Sequence, residues 1–263
     1  MSQTLSLAQS ILPKITAQAL RDPLSAPDLV LAKDGPLTVL YAPFDHIETA
    51  ARLVVVGITP GMTQAVNALQ AAAASLSQGR SVEQSLAAAK LTASFSGGAI
   101  RTNLVAMLDA IGVAAHFAVG STAEMFRPGA TDVHFTSALR YPVFVDGKNY
   151  NGTPDMLRTP ILRAQVDTHL AEEAHALPDA IWLPLGPKAE GAVSHLARRG
   201  LLDARRVLSG LPHPSGANAE RVAVFLGKKR PEDASRQTNP APLLAARARL
   251  ATQIADLGKG DAA

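Results

Sequence analysis

The sequence holds a histidine between two prolines at a predicted strand end. His213 lies in Leu-Pro-His-Pro-Ser-Gly-Ala-Asn, residues 211–218, and this stretch overlaps the apolar run 207–211. Prolines on both sides restrict the backbone, and an imidazole held in this way can donate a hydrogen bond to a developing anion. The alternative is a histidine packed against prolines in an ordinary turn. His213 is therefore a candidate catalytic residue that needs support from other motifs.

A second candidate is the stretch Gly-Ile-Thr-Pro-Gly, residues 57–61, which follows the apolar run Leu-Val-Val-Val at 53–56. One interpretation is simple chain reversal. The other is a ligand pocket, because a glycine at the end of a buried strand lets a ligand approach the backbone closely. The helix-like stretch that follows would then turn its amide groups toward that ligand.

Three further positions have side chains suited to holding a flat polar ligand. Phe95 precedes Gly97-Gly98 and could stack on a ring, although a single phenylalanine is often a core residue. Ser137 lies near the end of a predicted strand and can both donate and accept hydrogen bonds. Asn149 and Asn151 lie in the loop Asp-Gly-Lys-Asn-Tyr-Asn-Gly. Their side chains could form hydrogen bonds with the edge of a ligand, or the loop could be an ordinary turn.

These candidates are positioned by alternating apolar strands and amphipathic helices. Periodicity predicts strands over 37–41, 53–58, 113–119, 133–139, 180–185 and 207–211, and helices over 5–20, 62–76, 100–111, 161–177, 188–199 and 241–257. Ser81 and Gln84 predict a capping box for a further helix. Residues 145–160 are predicted to form a long loop, and residues 228–240 an exposed linker. The alternation predicts an α/β protein with a mostly parallel sheet, whose ligands bind at the carboxyl strand ends.

The order of these motifs resembles the uracil-DNA glycosylase superfamily. Gly57–Gly61 is similar to its first motif, and His213-Pro214-Ser215 to its last. Between them, SFSGGAIRTNLVAMLDAIGV is similar to the Phe-x-Gly stretch with its helix, and IWLPLGPKAEGAV to a late Leu-Gly strand-to-helix unit. The resemblance covers about residues 37–227. It implies a single domain over 1–263, a three-layer α/β/α sandwich with a central, mostly parallel sheet of four to five strands. A helical insertion is expected at about 62–93 and a helical tail at about 240–258.

The resemblance implies an enzyme that flips uracil out of DNA and hydrolyses its N-glycosidic bond, which leaves an abasic site in base-excision repair. In that reaction His213 would donate to uracil O2, Phe95 would stack on the base, and Thr59 would take the place of the water-activating residue. The expected substrate-binding residues are Gly57, Ile58, Pro60, Gly61, Gln64, Ser137 and Asn151. The expected DNA-binding residues are Ser215, Gly216, Ala217, Asn218 and Arg221, with the late basic residues adding salt-dependent attraction.

Three positions depart from the family pattern. Thr59 stands where many relatives have aspartate or asparagine and cannot act as a carboxylate base, so water activation could pass to Gln64, Asp45, His46 or Asn151. Ser137 replaces an asparagine that reads the base. The loop after Ser215 offers Gly216-Ala217-Asn218 in place of a leucine wedge, which leads to the hypothesis that single-stranded DNA is preferred.

The amino-acid composition of the chain excludes several classes of protein function. The 263-residue chain has no cysteine, which excludes disulfides, thiol nucleophiles and cysteine-held iron–sulfur clusters. The net charge of +3 and pI near 9.3 permit phosphate binding. No secretory leader or membrane span is predicted, so we expect a cytoplasmic monomer without cofactor or metal whose partner is uracil-containing DNA.

Two other functions stay open at this point. One is a non-catalytic nucleic-acid-binding module of the same fold, in which Thr59 marks lost chemistry. The other is an unrelated hydrolase that uses Ser137 or Ser215 with His213, although the chain lacks a Gly-x-Ser-x-Gly elbow. The motifs expected to line the base pocket, residues 57–61, 95–98 and 211–218, contain no lysine. This predicts a monofunctional enzyme without a strand-cleaving step.

Overall fold

A computed structural model describes residues 3–93, 98–127 and 129–260 of the chain. Its strands are β1 Val30–Asp34, β2 Leu37–Leu40, β3 Leu53–Gly57, β4 Val133–Ser137, β5 Val143–Val145, β6 Lys148–Asn149 and β7 Ile181–Pro184. Its α-helices are α1 Gln3–Ile11, α2 Met62–Ser77, α3 Val82–Ala93, α4 Gly98–Ala110, α5 Val113–His116, α6 Pro160–Gln165, α7 Ala171–Ala176, α8 Pro187–Arg198, α9 Ala219–Phe225 and α10 Pro240–Gly260. The α/β class predicted from the sequence is confirmed.

The chain divides into two compact units. The first comprises Met1–Glu48, Gly57–Ser94 and Phe135–Ala176, and the second comprises Thr49–Val56, Phe95–His134 and Leu177–Ala263. The division passes through β3 and β4. The prediction of a single domain over 1–263 stays a prediction.

A three-stranded parallel sheet has the order β4-β3-β7. β3 is buried along its whole length, as its run of leucine and valine predicts. β3 and β7 pair in parallel from Leu53 with Ile181 to Val56 with Pro184. A bridge between Trp182 and Val207 extends the pairing beyond β7, although 207–211 forms no full strand. The order of the sheet reverses at β3, so the carboxyl ends on either side of β3 are where such folds bind ligands.

The first unit also contains an antiparallel sheet, of which the sequence predicted one strand, 37–41, confirmed as β2. Its order is β1-β2-β5-β6. β5 and β6 lie partly in the stretch that was predicted to be a long loop. The turn between them has positive φ at Asp146 (48°) and Gly147 (73°), a backbone geometry that closes tight hairpins. The Asp-Gly pair was therefore a hairpin signal inside an otherwise polar segment.

Helix boundaries follow local sequence signals. At the start of α3, Ser81 Oγ accepts from Gln84 N–H and Gln84 Oε1 accepts from Ser81 N–H, so the predicted capping box is confirmed. The helix predicted over 161–177 is present as α6 and α7, joined by a π-helical turn over 166–170. α10 confirms the predicted terminal helix.

Two further predictions are corrected. The predicted strand at 113–119 contains α5 instead, because Gly112 in the left-handed region (φ 88°) ends one helical segment and starts another, so the β-branched residues were misleading. The helix predicted over 5–20 ends at Ile11, where Pro13 is part of a following 3-10 turn. None of the helices in the described residues has the length and apolar character needed to cross a membrane.

Candidate functional site

The loop that carries His213 is fixed by hydrogen bonds within the second unit. The Asn103 side chain, on α4, donates to the Pro214 carbonyl at 2.9 Å. Ser215 N–H donates to His213 Nδ1 at 3.2 Å, and Asn218 Nδ2 donates to Ser215 Oγ at 3.0 Å. The backbone on both sides of the imidazole is therefore held in place before any ligand binds. Asn103 was not identified from the sequence, since a single asparagine in a helix has no distinctive signal.

The hydrogen bond to Nδ1 determines the tautomer of His213. An imidazole nitrogen that accepts a hydrogen bond is unprotonated, so the neutral ring carries its proton on Nε2. Burial lowers the pKa of His213 below its usual value of 6.5, which keeps the ring neutral at pH 7. His213 therefore has the protonation state of a neutral hydrogen-bond donor.

His213 lines an open cleft of about 520 Å³ in the second unit. The first turns of α8 and α10 contribute Pro187, Glu190, Pro242 and Leu243 to its walls, so two helix amino ends border the cleft. The positive ends of helix dipoles favour negative charge nearby. Arg221 adds a guanidinium to the lining, and Glu190 adds a carboxylate. We refer to this space as the His213 cleft.

The predicted DNA-binding residues adjoin this cleft. Asn218 and Arg221 line it, and Arg221 Nη1 lies 3.4 Å from the Asn218 side-chain oxygen. Gly216 and Ala217 are exposed in a short 3-10 turn before α9. Ser215 and His213 form no hydroxyl–imidazole hydrogen bond in the described structure, because it is the Ser215 backbone that contacts the ring. The pairing needed for a serine nucleophile is absent there.

The motif Gly57–Gly61 belongs to the first unit, where it is engaged with the segment after β4. Ala138 N–H donates to the Gly57 carbonyl, and Leu139 N–H donates to the Ile58 carbonyl. Thr59 Oγ1 accepts from Val143 N–H at 3.2 Å and donates to the Tyr141 carbonyl at 3.3 Å. The Thr59 hydroxyl thus joins two chain segments.

Gln64 and Asn149 cap the start of α2. Gln64 Oε1 accepts from Gly61 N–H at 2.6 Å, and Asn149 Oδ1 accepts from Met62 N–H at 2.9 Å. Two amide side chains proposed for substrate contacts therefore have structural partners at this helix end. A side chain at Gly61 would meet both amides, since an added Cβ would lie 3.1 Å from Gln64 Oε1 and 3.2 Å from Asn149 Nδ2.

The remaining predicted residues are distributed as follows. Ser137, half-buried, is the last residue of β4, and Pro60 is buried. Asn151 is exposed. All three belong to the first unit, together with Gly57–Gly61 and Gln64, whereas His213, Ser215–Asn218 and Arg221 belong to the second. Phe95 lies outside the described residues. The structure thus brings His213, Asn218 and Arg221 together at one cleft.

The first unit holds a buried polar cluster that the sequence analysis identified only through Asp45 and His46. Asp45 is 6% exposed, and its carboxylate accepts from the hydroxyls of Tyr41 and Tyr141 at 3.0 and 2.5 Å. Burial raises the pKa of Asp45 and of both tyrosines. Two hydroxyl donors on a buried carboxylate leave Asp45 satisfied, so it is poorly placed to activate water.

An ion-pair network adjoins these tyrosines along the chain. Arg140 is 1% exposed and donates to Glu173 at 3.1 Å, to Glu172 at 2.9 Å and to the His169 carbonyl at 2.9 Å. Lys90 Nζ donates to the His46 carbonyl at 2.6 Å and lies 3.9 Å from Glu173. Burial lowers the pKa of Lys90 to about 8. These charges stabilise one another inside the first unit.

Metal binding has no geometric support in the part of the chain that the structure describes, where no three His, Asp or Glu side chains are grouped to hold an ion.

Comparison with known proteins identifies one similar chain. The uncharacterized protein YoxB of Bacillus subtilis strain 168 is 39% identical over 210 residues, which are 79% of this chain and 81% of YoxB. No family model matches the chain. No solved structure matches it significantly.

Proposed function

This chain belongs to the same family as YoxB of Bacillus subtilis, and we propose that it is a uracil-DNA glycosylase. The observation that carries the proposal is the state of His213, a neutral imidazole whose proton is on Nε2 and whose Nδ1 is held by the Ser215 backbone. This is the donor that a departing uracil anion needs. The proposal includes the three-layer glycosylase-like fold expected from the motifs, and the parallel sheet that reverses order at β3 supports it.

The reaction separates a base from its sugar, so negative charge grows on uracil O2 while the sugar becomes oxocarbenium-like. A hydrogen bond from His213 Nε2 would stabilise that charge. The helix amino ends of α8 and α10 would add favourable electrostatics at no reorganisation cost, because both are already fixed. The resemblance also implies that the backbone amides of Pro60-Gly61 and Ser215-Gly216 contact the phosphates beside the uracil. Gly61 N–H already donates to Gln64 Oε1 and Ser215 N–H to His213 Nδ1, so these two amides would have to exchange partners to bind a phosphate.

The test is a gel assay with an oligonucleotide that contains one uracil. Purified protein should produce an abasic site, seen as strand cleavage only after alkali or heat. Replacing His213 with alanine should lower kcat by about 100- to 1000-fold, the effect of losing one preorganised donor. His175→Ala is the matched control, since His175 is exposed, and it should retain wild-type activity.

The pH dependence gives a second readout of the same prediction. The folded pKa of His213 is lowered, so the ring is neutral above about pH 6.5 and no inflection from its titration should occur between pH 7 and 9. Wild-type protein that leaves uracil in place, or a His213→Ala variant as active as wild type, would refute the mechanism. Strand cleavage without alkali would contradict the monofunctional assignment.

A non-catalytic nucleic-acid-binding module is the second candidate, and one observation favours it. Thr59 stands where a water-activating carboxylate is expected, and its hydroxyl is engaged by the backbones of Tyr141 and Val143. Binding of the uracil oligonucleotide without product formation would support this candidate. The exposed Gly216-Ala217 turn has no bulky side chain to fill a gap in a duplex, which is the basis of the hypothesis of single-strand preference; a comparison of single- and double-stranded substrates tests it.

A further inference from the structure

The segment between α9 and α10 is tied to one carboxylate. We call residues 228–239 the strap. It is mostly exposed and was predicted to be a linker. Glu220, near the start of α9, accepts four hydrogen bonds from it: from Lys229 Nζ at 2.5 Å, from Ser235 N–H at 3.0 Å, from Ser235 Oγ at 2.5 Å and from Thr238 Oγ1 at 2.7 Å. An exposed segment held by four bonds to one side chain has a defined path.

The strap forms part of the wall of the His213 cleft. Gln237 and Asn239 line the cleft beside His213 and Arg221. They flank Thr238, which is 7% exposed and is one of the four anchors on Glu220. The anchoring bonds therefore determine where these two amides lie.

Both amides have unused hydrogen-bonding capacity. Asn239 Oδ1 accepts from Ala241 N–H at 3.2 Å at the start of α10, while its NH₂ group has no acceptor among the described residues. The Gln237 side chain makes no hydrogen bond within that same part of the chain. Amide NH₂ groups and guanidinium groups are among the donors that proteins use on phosphate oxygens. Glu190 also lines the cleft, and its carboxylate would repel a phosphate placed next to it.

We propose that the strap is a phosphodiester-binding subsite of the His213 cleft, in which Gln237, Asn239 and Arg221 contact the DNA backbone and Glu220 is the positioning residue. The inference rests on the proposal that this cleft receives a DNA strand. It adds a binding element beyond about residue 227, where the resemblance to known glycosylase motifs ends.

The experiment measures Kd by fluorescence anisotropy, together with KM and kcat, on a single-stranded oligonucleotide with one uracil. Gln237→Ala should raise Kd and KM about 5- to 10-fold and leave kcat within about twofold, as expected for the loss of uniform binding. Glu220→Ala should do the same although Glu220 makes no ligand contact, and Glu220→Gln should recover part of the loss. The double variant Gln237→Ala/Glu220→Ala should be no weaker than Glu220→Ala alone, because both changes act on one contact.

Arg236→Gln is the control, since Arg236 is an exposed strap residue that does not line the cleft. It should change Kd less than twofold at about 150 mM salt, where exposed charges are screened. If Glu220→Ala does not fold, Gln237→Ala decides alone, because the Gln237 side chain has no hydrogen bond to lose within residues 3–93, 98–127 and 129–260.

The outcomes separate the two proposals. Active wild-type protein with an unchanged Gln237→Ala variant overturns the strap subsite and leaves the glycosylase. Inactive wild-type protein whose DNA binding weakens with Gln237→Ala overturns the glycosylase and supports the subsite. Equal effects of Gln237→Ala and Arg236→Gln on Kd would also overturn the subsite.

Discussion

Replacing Arg140 with methionine tests the buried ion-pair network of the first unit. Arg140 is 1% exposed and Glu173 is fully buried, and the two side chains meet at 3.0 Å. Methionine fills much of the same volume but leaves the Glu173 carboxylate without its closest cation. Removing one partner of a buried pair costs about 3–5 kcal/mol, because the remaining charge keeps its desolvation penalty.

Such a loss is a large share of the roughly 5–15 kcal/mol that stabilises a folded protein. At about 2 °C per kcal/mol for a chain of this size, the melting temperature should fall by about 6–10 °C. The assay is urea and thermal unfolding followed by far-ultraviolet circular dichroism. A second variant, Arg140→Met/Glu173→Gln, should recover part of the loss because it removes the stranded charge.

Arg163→Met is the matched control. Arg163 pairs with Asp167 at 3.2 Å across one helical turn, but the Arg163 side chain is 52% exposed. An exposed pair of this kind contributes below about 0.5 kcal/mol. If Arg140→Met and Arg163→Met lowered stability equally, burial would not determine the strength of these ion pairs and the reasoning would be refuted.

Two further predictions concern the same unit. The folded pKa of Lys90 is about 8 against 10.5 for the free side chain, so the unfolded chain binds more protons between these values and stability should rise with pH across that window. The free energy of unfolding of the wild-type protein, measured by urea titration, should rise by about 1–3 kcal/mol relative to that of Lys90→Met between pH 8 and 10.5. If this difference in stability fell with pH, the lowered pKa of Lys90 would be wrong. Gln64→Ala should lower the free energy of unfolding by about 1 kcal/mol, because α2 loses its cap, while glycosylase kcat stays within about twofold. A large loss of kcat at unchanged stability would instead place Gln64 at the substrate.

The parallel sheet could be predicted because its strands carry their own signal. Four consecutive apolar residues at 53–56, with glycine and proline after them, predict a short buried strand in nearly any context. In the antiparallel sheet only the segment at 37–41, which is β2, carried such a signal, whereas β6 is only two residues long and exposed. The strand predicted over 113–119 rests on a short apolar run, but the left-handed Gly112 interrupts the chain after α4 and starts the separate short helix α5.

Several side chains could be singled out from the sequence but not given partners. The resemblance puts Thr59 at the position of the water-activating residue, and its hydroxyl contacts come from Tyr141 and Val143, more than 80 residues away. The Gln64 side chain accepts a hydrogen bond from Gly61 N–H, three residues earlier, and so caps the start of α2. The spacing permits this bond but does not require it. The composition of the strap predicts a linker, because its anchor, Glu220, lies at least eight residues before it and outside the segment itself.

The sequence by itself determined the α/β class, most helix positions and the stiff Pro-His-Pro setting of His213, because these depend on the periodicity and backbone preferences of neighbouring residues. Only the tertiary structure decided which nitrogen of His213 carries the proton, which carboxylates face Arg140, and that Gln237 and Asn239 line the same cleft as His213. The partners of Arg140 and the lining of the cleft depend on distances between residues far apart in the chain, which neighbouring residues do not determine. The contact on His213 Nδ1 comes from Ser215, only two residues away, but Asn103, which lies 111 residues before Pro214, helps to fix the loop geometry that makes this contact.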